Sequence, residues 1–317
     1  MQTKINIDLI KKHFLERAKG KQAMRTAVVH PCSAEALLGA VDAQREGLIE
    51  PVLVGPRYKI EALAEKGGWD ISAYPLVDVP HSHAAAQAAV EMARDGKVEG
   101  LMKGSLHTDE LMSEVVRPES GLRTERRISH VFAMATEHYH KPFLITDAAI
   151  NIAPNLLTKR DIVQNAVDLL IAISERPIAP KVAALSAVET VNPALQSTVD
   201  AACLCKMADR GQIAGAIVDG PLAFDNAISA EAARIKEIHS PVAGDADIFL
   251  APDLESGNIL AKQLILLSQT SSAGVILGAR VPIVLTSRSD GVESRIGSCA
   301  LAVLMADARR NRRATPP

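Results

Sequence analysis

The chain of 317 residues has few aromatic side chains and almost no net charge. Phe, Trp and Tyr make up only 3 % of the residues, within a hydrophobic content of 48 %. Such an aliphatic composition suits parallel β-strands that helices cover on both faces. The net charge of −2 lacks the basic excess that nucleic-acid-binding proteins carry, so we expect no nucleic acid as a partner.

Cysteine and long apolar segments are also scarce. Four cysteines in a chain of this length do not make a disulfide framework, and we expect them to be reduced thiols. No run reaches the ~18 apolar residues that are needed to span a bilayer. The charged N-terminal segment lacks the apolar core of a secretory signal peptide. The sequence therefore predicts a cytoplasmic protein without a membrane partner.

Several catalytic motifs are missing. The chain contains no GxxxxGK followed by Ser or Thr, no GxGxxG that opens a helix, no HExxH and no CxxC pair. These absences count against a P-loop nucleotide hydrolase, a simple dinucleotide oxidoreductase and a zinc hydrolase. The pairs His81/His83 and His138/His140 have a spacing of two, which shares no helical face. We interpret them as surface or loop histidines and predict no metal site.

Apolar runs rich in β-branched residues alternate with helical stretches along the chain. Ser33, Thr108 and Ser229 offer helix caps, each with acidic residues in the first turn. The alternation predicts an α/β fold in which parallel or mixed sheets are flanked by helices, and the chain length predicts two domains. The strand-like runs begin at Thr26, Pro51, Gly100, Phe143, Lys181, Gly215, Ile248, Gly274 and Pro282.

Polar residues follow several of these strands. In GLMKGSLHTDE, Lys103, His107 and Thr108 lie between a strand and a helix N-terminus, where free amides and the helix dipole favour anions. A capped helix with a solvated lysine explains the same segment equally well. Asp147 ends the strand of LITDAAINIAP, and Asn258 follows a later strand. Each of these two residues is either a ligand contact or a cap.

Ser287 and Arg288 give the strongest single indication of a ligand. They follow the apolar run PIVLT, at the carboxyl end of a predicted strand, where open α/β sheets bind ligands. The guanidinium of arginine is a planar fork that can hold phosphate through two hydrogen bonds. We therefore predict that this strand end binds an anion.

Long segments of the chain resemble the phosphate acetyltransferase and phosphate butyryltransferase family. They follow in the family's order and spacing from about residue 20 to about residue 305. The form SRxD at Ser287–Asp290 resembles the butyryl branch more closely than the acetyl branch. The segments that carry the resemblance are MKGSLHTDELM, GLRTERRISHVF, KVAALSAVETVNPALQSTVDAACLCKMADRGQIAGAIVDGPLAFDNAIS, ADIFLAPDLESGNILAK and VLTSRSDGVESRIGSCALA.

This resemblance implies reversible transfer of a short acyl group, acetyl or butyryl, between coenzyme A and inorganic phosphate in a direct ternary complex. Coenzyme A is then a substrate, no cofactor is permanently bound, and the protein is a homodimer. The implied fold is similar to that of isocitrate and isopropylmalate dehydrogenases. We place domain I at residues 1–145 plus 288–317 and domain II at residues 146–287, with the active-site cleft between them.

The resemblance also implies roles for the residues that follow the last strand. Arg288 would hold phosphate and stabilise the tetrahedral oxyanion, and Ser287 would donate a hydrogen bond to the same group. The CoA thiol needs a proton acceptor, for which we favour Asp290 over Glu293. The acetyl branch instead carries Ser-Arg-Gly and a later Asp, at the place held here by Ser294.

A basic segment at Glu125-Arg126-Arg127 departs from the butyryl branch, which has a shorter basic sequence there. Arg126 and Arg127 either contact the phosphates of coenzyme A or form a solvated turn. We favour the contact, because arginine suits phosphate oxygens.

Two other functions stay open at this point. A metal- and NAD-dependent hydroxyacid dehydrogenase of the same fold would need grouped acids around a divalent cation. Asp219, Asp225, Asp247 and Asp253 are instead scattered over strand ends. A non-catalytic acyl-CoA-binding protein would bind coenzyme A without turnover, and the missing late Asp keeps this alternative open.

Overall fold

The computed structural model describes residues 11–118, 121–175, 177–285 and 291–314. The chain divides into two compact units. Unit I contains the described residues of 11–126 and 273–314, and unit II contains those of 127–272. Within the described ranges, no helix combines the length and the apolar character that crossing a bilayer requires.

Unit I contains six strands. They are β1 (Met24–Val29), β2 (Ile49–Gly55), β3 (Leu76–Asp78), β4 (Gly100–Lys103), β10 (Ser271–Leu277) and β11 (Ile283–Val284). Their order in space is β3-β2-β1-β4-β11-β10. The pairs from β3 to β11 are parallel, and β10 is antiparallel to β11. The carboxyl ends of β1, β4 and β11 therefore lie side by side.

The helices of unit I connect these strands. A π-helical turn (Lys11–Leu15) leads into α1 (Glu16–Ala18), and the others are α2 (Ala34–Arg45), α3 (Arg57–Gly67), α4 (Ser82–Arg94), α5 (Thr108–Val116) and α11 (Val292–Ala314). The predicted cap Ser33 is confirmed, because its hydroxyl accepts the Ala36 N–H. The predicted cap Thr108 is wrong. His107 is the N-cap of α5, without a side-chain cap bond, and Thr108 is the first helical residue.

Unit II contains five strands and five helices. The strands are β5 (Ser129–Ala135), β6 (Phe143–Thr146), β7 (Lys181–Leu185), β8 (Ile217–Leu222) and β9 (Ile248–Leu250), in the order β5-β6-β9-β7-β8. β5 is antiparallel to β6, and the other pairs are parallel. The helices are α6 (Leu156–Ile173), α7 (Gln196–Asp209), α8 (Phe224–Ile228), α9 (Ala230–Ile235) and α10 (Leu254–Leu267).

The units divide the chain at residues 126/127 and 272/273, whereas the sequence placed the divisions at 145/146 and 287/288. Strand pairing accounts for both differences. β5 and β6 join unit II because β6 pairs with β9. β11 joins unit I because it pairs with β4, and it brings its antiparallel neighbour β10 with it.

The few aromatic side chains are concentrated in the core of unit II. Phe143 and Phe249 meet edge to face, with ring centroids 5.4 Å apart. Tyr139 packs against Phe143 at 5.6 Å, and its hydroxyl donates to the Ala246 carbonyl at 2.8 Å. Burial raises the pKa of Tyr139, with further contributions from Asp245 and Asp247. This cluster anchors the strand layer from which the site residues of unit II emerge.

We expect Phe249→Ala to lower the free energy of unfolding by about 3–5 kcal/mol, because Phe249 is fully buried and the truncation leaves a cavity. Urea denaturation followed by circular dichroism measures this change. The matched control in the same unit is Leu267→Ala, at a side chain that is 77 % exposed, and we expect it to stay within about 0.5 kcal/mol of the unaltered protein. Equal losses in the two variants would contradict this account of the core.

Candidate functional site

The carboxyl edge of the unit I sheet is the first candidate site. Val29 of β1 is in register with Lys103 of β4, and Met102 of β4 is in register with Val284 of β11. The residues that leave these three strands therefore start from one edge. This is the edge at which open parallel sheets bind ligands.

The structure brings three predicted ligand residues to this edge. Lys103 ends β4 and is buried, and its ammonium donates to the Gly104 carbonyl at 3.4 Å. His107 is exposed immediately before α5, and Thr108 opens that helix. The first-turn acids Asp109 and Glu110 lie beside them. Their placement agrees with either an anion site or a helix start.

The predicted catalytic residues Ser287, Arg288 and Asp290 lie outside the described residues. The strand before them, β11, pairs in parallel with β4. The last described residue before them is Leu285, which leaves the sheet at the edge where β4 ends. Their roles stay predictions.

Backbone hydrogen bonds tie the segment that follows β1 to the segment that follows β4 at this edge. The His30 carbonyl accepts hydrogen bonds from the Ser105 N–H at 2.9 Å and the Cys32 N–H at 2.8 Å. A Cβ atom on Gly104 would stand 2.3 Å from the Val29 carbonyl oxygen and 2.5 Å from that of His30. Only glycine permits this approach. His30 itself has a φ of +54°, a left-handed conformation.

The second candidate region is the loop after β6 in unit II. Asp147 is buried, and its carboxylate accepts the N–H groups of Ala149, Ile150 and Asn151 at 3.0–3.1 Å. The Asn151 side chain also donates to this carboxylate, at 2.5 Å. Asp147 therefore holds the loop in shape. A substrate contact of Asp147 stays a prediction.

Helix α10 packs tightly against the same loop. The Asn258 amide donates to the Ala148 carbonyl at 3.0 Å. A Cβ atom on Gly257 would stand 2.4 Å from the Asp147 carbonyl oxygen, so glycine is required at this contact. Asn258 lies within α10, which rules out the helix cap that the sequence allowed. The side-chain amide of Asn258 is therefore engaged in a hydrogen bond to the protein backbone.

His130 lies beneath the Asp147 loop. Its ring is completely buried and meets the Phe132 ring edge to face at 4.5 Å. Burial lowers the pKa of His130 to about 4, while the charge of Asp147 acts in the opposite direction. Its Nδ1 atom has no hydrogen-bond partner among the described residues. A buried neutral imidazole therefore supports the loop, and no sequence motif singled it out.

Arg126 and Arg127 are both exposed. The backbone of Arg127 is fixed, because its N–H donates to Asp161 at 3.0 Å and its carbonyl accepts the Asn165 amide at 2.8 Å. The Arg127 guanidinium has no partner in the described part of the chain. This fixed backbone with a free cation suits a phosphate contact better than a loose solvated turn.

An open pocket of about 890 Å³ lies at the carboxyl ends of β7 and β9 in unit II. Lys159 is the sole cation among its described lining residues, and it pairs with Asp200 at 2.7 Å with both side chains buried. The pair is internally neutral and the carboxylate of Asp253 also lines the pocket, so the pocket favours uncharged groups over phosphate. Other side chains that line it are Asn155, Leu185, Ser186, Gln196, Cys203 and Leu260.

The histidine pairs have separate structural partners. His81 caps α4, because its Nδ1 accepts the Ala84 N–H. His83 lies 4.0 Å from Glu110, and His140 lies 2.9 Å from Asp245. Among the described residues, no three His, Cys, Asp or Glu side chains are grouped as a metal site would need.

The acids that a metal-dependent dehydrogenase would need are also engaged separately. Asp253 caps α10, Asp225 pairs with Lys236, and Asp247 accepts the backbone N–H of Lys181. The arrangement gives no support to that alternative.

The chain is similar to one family of known proteins. A family model described as phosphate acetyl/butaryl transferase matches residues 82–303. The phosphate acetyltransferase of Rickettsia typhi is 60 % identical over 294 residues, which cover 92 % of this chain and 84 % of the relative. The phosphate butyryltransferase of Clostridium acetobutylicum is 41 % identical over 293 residues, covering 92 % and 97 %.

A solved structure agrees with these relatives. A branched-chain phosphotransacylase from Enterococcus faecalis V583 superimposes with a TM-score of 0.78 and 32 % identity, covering 89 % of this chain and 99 % of the other. The relatives also correct one expectation. The motif SRxD indicated the butyryl branch, but identity over the whole chain is higher to the acetyltransferase. A four-residue motif carries less information than nearly three hundred aligned positions.

We expect the buried His130 to make stability depend on pH. Its pKa is lowered from the ordinary 6.5, so the unfolded chain binds the proton more readily. The stabilising contribution is complete above pH 6.5 and is lost as pH falls toward 4, by roughly 3 kcal/mol. Urea denaturation at pH 7 and pH 4.5 measures this loss. We expect a smaller loss in His130→Gln and an unchanged loss in His239→Gln, where the histidine is exposed. A loss of the same size in His130→Gln would show that other groups cause it.

Proposed function

The chain belongs to the phosphate acetyl/butaryl transferase family, and we propose that the acyl group it transfers is acetyl. It is an acyltransferase, and the reaction is the reversible exchange of a short acyl group between coenzyme A and inorganic phosphate. The observation that carries the choice of acetyl is the 60 % identity to the Rickettsia typhi phosphate acetyltransferase, against 41 % to the Clostridium butyryltransferase.

Ser287 and Arg288 are the proposed phosphate clamp. β11 supports this assignment, because the chain leaves it at the edge where β4 ends in Lys103. Lys103 is a buried cation at that edge, so it would add to the attraction of a phosphate. His107 and Thr108, at the start of α5, complete the proposed anion-binding group. Asp290 is the proton acceptor that the resemblance to the family implies, and a second candidate for this role follows β1.

Coenzyme A is proposed as a substrate that enters and leaves, not as a bound cofactor. Arg126 and Arg127 are the proposed contacts for its phosphates, since the Arg127 guanidinium is exposed on a fixed backbone. The pocket of unit II favours uncharged groups, so it is a poorer candidate for these phosphates. Asp147 and Asn258 stay proposed substrate-site residues, and they would act by shaping the loop beside the substrate.

The proposal also includes a fold relationship and an oligomeric state. The likeness to isocitrate and isopropylmalate dehydrogenases agrees with two α/β units whose sheets are mostly parallel. A homodimer agrees with apolar side chains that unit II leaves exposed. Ile152 is 75 % exposed and Ile259 is 65 % exposed. The Ile152 carbonyl accepts the Leu254 N–H, which places Ile152 at the start of the helix that carries Ile259.

The reaction is tested by phosphate-dependent release of free thiol from acetyl-, propionyl- and butyryl-CoA. We expect acetyl-CoA to react with the highest kcat/KM and Arg288→Ala to lose roughly 10²–10³-fold in kcat. The matched control is Arg57→Ala, which removes an exposed arginine paired with Glu61 and should leave the rate unchanged. A higher kcat/KM for butyryl-CoA would overturn the choice of acetyl. An Arg288→Ala rate equal to that of the control would overturn the proposed clamp.

The homodimer is tested by light scattering after size exclusion. We expect the unaltered protein to have twice the mass of one chain. Ile152→Asp with Ile259→Asp should lower that mass to one chain, because two charges would have to be buried in the interface. Tyr58→Asp, at a residue of unit I that is 69 % exposed, is the control and should leave the dimer intact. A single-chain mass for the unaltered protein would refute the homodimer.

A further inference from the structure

His30 occupies the carboxyl edge of unit I without a role in any of the functions above. It follows Val29 directly, and Val29 is in register with Lys103. β4 separates β1 from β11, the strand that leads to Ser287 and Arg288. His30 therefore leaves the sheet two strands away from β11, at the same edge.

The Ser105 hydroxyl fixes the tautomer of His30. Ser105 Oγ lies 2.9 Å from the His30 carbonyl oxygen and 3.2 Å from His30 Nδ1. The shorter of these contacts is the one in which the Ser105 hydroxyl donates to the carbonyl, and Ser105 Oγ also accepts the Cys32 N–H at 3.2 Å. The single hydroxyl proton of Ser105 is therefore committed to the carbonyl. Nδ1 must then be the donor to Ser105 Oγ, which leaves the Nε2 lone pair of a neutral His30 free.

The backbone holds this imidazole in place. Histidine is among the few residues other than glycine that occur with a positive φ, and His30 has a φ of +54°. Its carbonyl accepts the N–H groups of Cys32 and Ser105 in addition to the Ser105 hydroxyl. A non-glycine residue in this conformation persists when its surroundings determine it, and such residues concentrate at functional sites. Nε2 itself has no partner in the described part of the chain.

The surroundings keep His30 neutral near pH 7. Partial burial lowers its pKa, and the charge of Lys59 on α3 lowers it further. Glu110 on α5 acts to raise the pKa, and His81 before α4 acts to lower it. These are the charged groups that face the ring from the elements around it. A neutral imidazole with a free Nε2 and a pKa below 6.5 is in the form that accepts protons.

We propose that His30 Nε2 is the group that takes the thiol proton of coenzyme A during acyl transfer. The proposal rests on the family reaction stated above. As the thiol sulfur forms its bond to the acyl carbon, its proton moves to Nε2. The bond from the acyl carbon to the phosphate oxygen then breaks, and the proton passes from Nε2 to the departing phosphate. CoA–SH and acyl phosphate thus give acyl-CoA and hydrogen phosphate, with no proton gained or lost overall.

His30→Asn is the decisive variant. Asparagine accepts a positive φ, and its amide can donate to Ser105 in place of Nδ1–H, but it has no basic nitrogen. We expect kcat for CoA and acetyl phosphate to fall roughly 10²–10⁴-fold, with each KM within about threefold of its original value. The fall of kcat/KM below the pKa of His30 should disappear. His83→Asn, on an exposed histidine of the same unit, is the control and should keep both the rate and the pH profile.

A second variant separates proton transfer from positioning. His30→Gly relieves the backbone and leaves space for a small base. We expect added imidazoles to restore the rate, more strongly as the pKa of the added base rises, which mere space-filling would not produce. Asp290→Asn tests the other candidate proton acceptor. If Asp290→Asn abolishes the low-pH limb while His30→Asn retains it and stays within about threefold of the original kcat, the inference fails.

A measurement that does not depend on turnover checks the geometry. Nitrogen NMR of the labelled histidines should assign His30 as the Nδ1–H tautomer with a pKa below the ordinary 6.5. We expect Ser105→Ala to mix the two tautomers, because the acceptor for Nδ1–H is removed. An Nε2–H tautomer in the unaltered protein would overturn the inference directly. The failure of the family reaction would instead appear as an unaltered protein that releases no thiol from any acyl-CoA.

Discussion

The hydrogen bonds that converge on the His30 carbonyl fix the backbone at the carboxyl edge of the unit I sheet. Three donors from Cys32 and Ser105 meet that one oxygen and tie the segment after β1 to the segment after β4. The absence of a side chain at Gly104 permits the approach. Because these hydrogen bonds fix the chain after both strands, Lys103 and the start of α5 keep their places relative to His30. The site depends on this backbone contact before any side chain meets a substrate.

In unit II, a carboxylate rather than a carbonyl accepts the hydrogen bonds that fix the chain after a strand. The loop after β6 turns away from the sheet and presents three free N–H groups, which Asp147 satisfies from within the loop. Gly257 and Asn258 then bring α10 against that loop. A buried carboxylate that accepts several amides is a rigid element, because removal of any donor leaves a charge unsatisfied. In each unit, polar groups of the chain itself fix the segment that follows a strand.

The sequence predicted the layered α/β architecture well, because parallel buried strands leave uninterrupted apolar runs. It missed β3, which has three residues, and β5, which directly follows the basic segment around Arg127. The unit boundaries could not be predicted, since the sheet that a strand joins depends on pairing with distant residues. Asp147 was predicted at a strand end, but its role as acceptor for the loop depends on the fold of the next four residues.

His30 shows why part of the site could not be predicted from the sequence. A residue before proline is expected to be extended, so His30-Pro31 indicates a strand that continues into a helix cap. Contacts with residues distant in the chain hold His30 at a positive φ, and the contact with Ser105, which is 75 residues away, fixes its tautomer. The available signal was a histidine that follows a buried strand at the ligand edge. Without the partner strand, that signal could not be separated from a surface histidine.

The charge of the proposed base matters at a site proposed to bind phosphate. A carboxylate base would face the phosphate with a like charge, and two unit charges ~6 Å apart repel by about 3 kcal/mol at an effective dielectric constant of ~20. A neutral imidazole avoids this repulsion when the acyl phosphate binds. Once it has taken the thiol proton, the imidazolium is attracted to the phosphate that must receive that proton. The charge on His30 therefore appears only while the reaction proceeds, so it stabilises the transition state without opposing substrate binding.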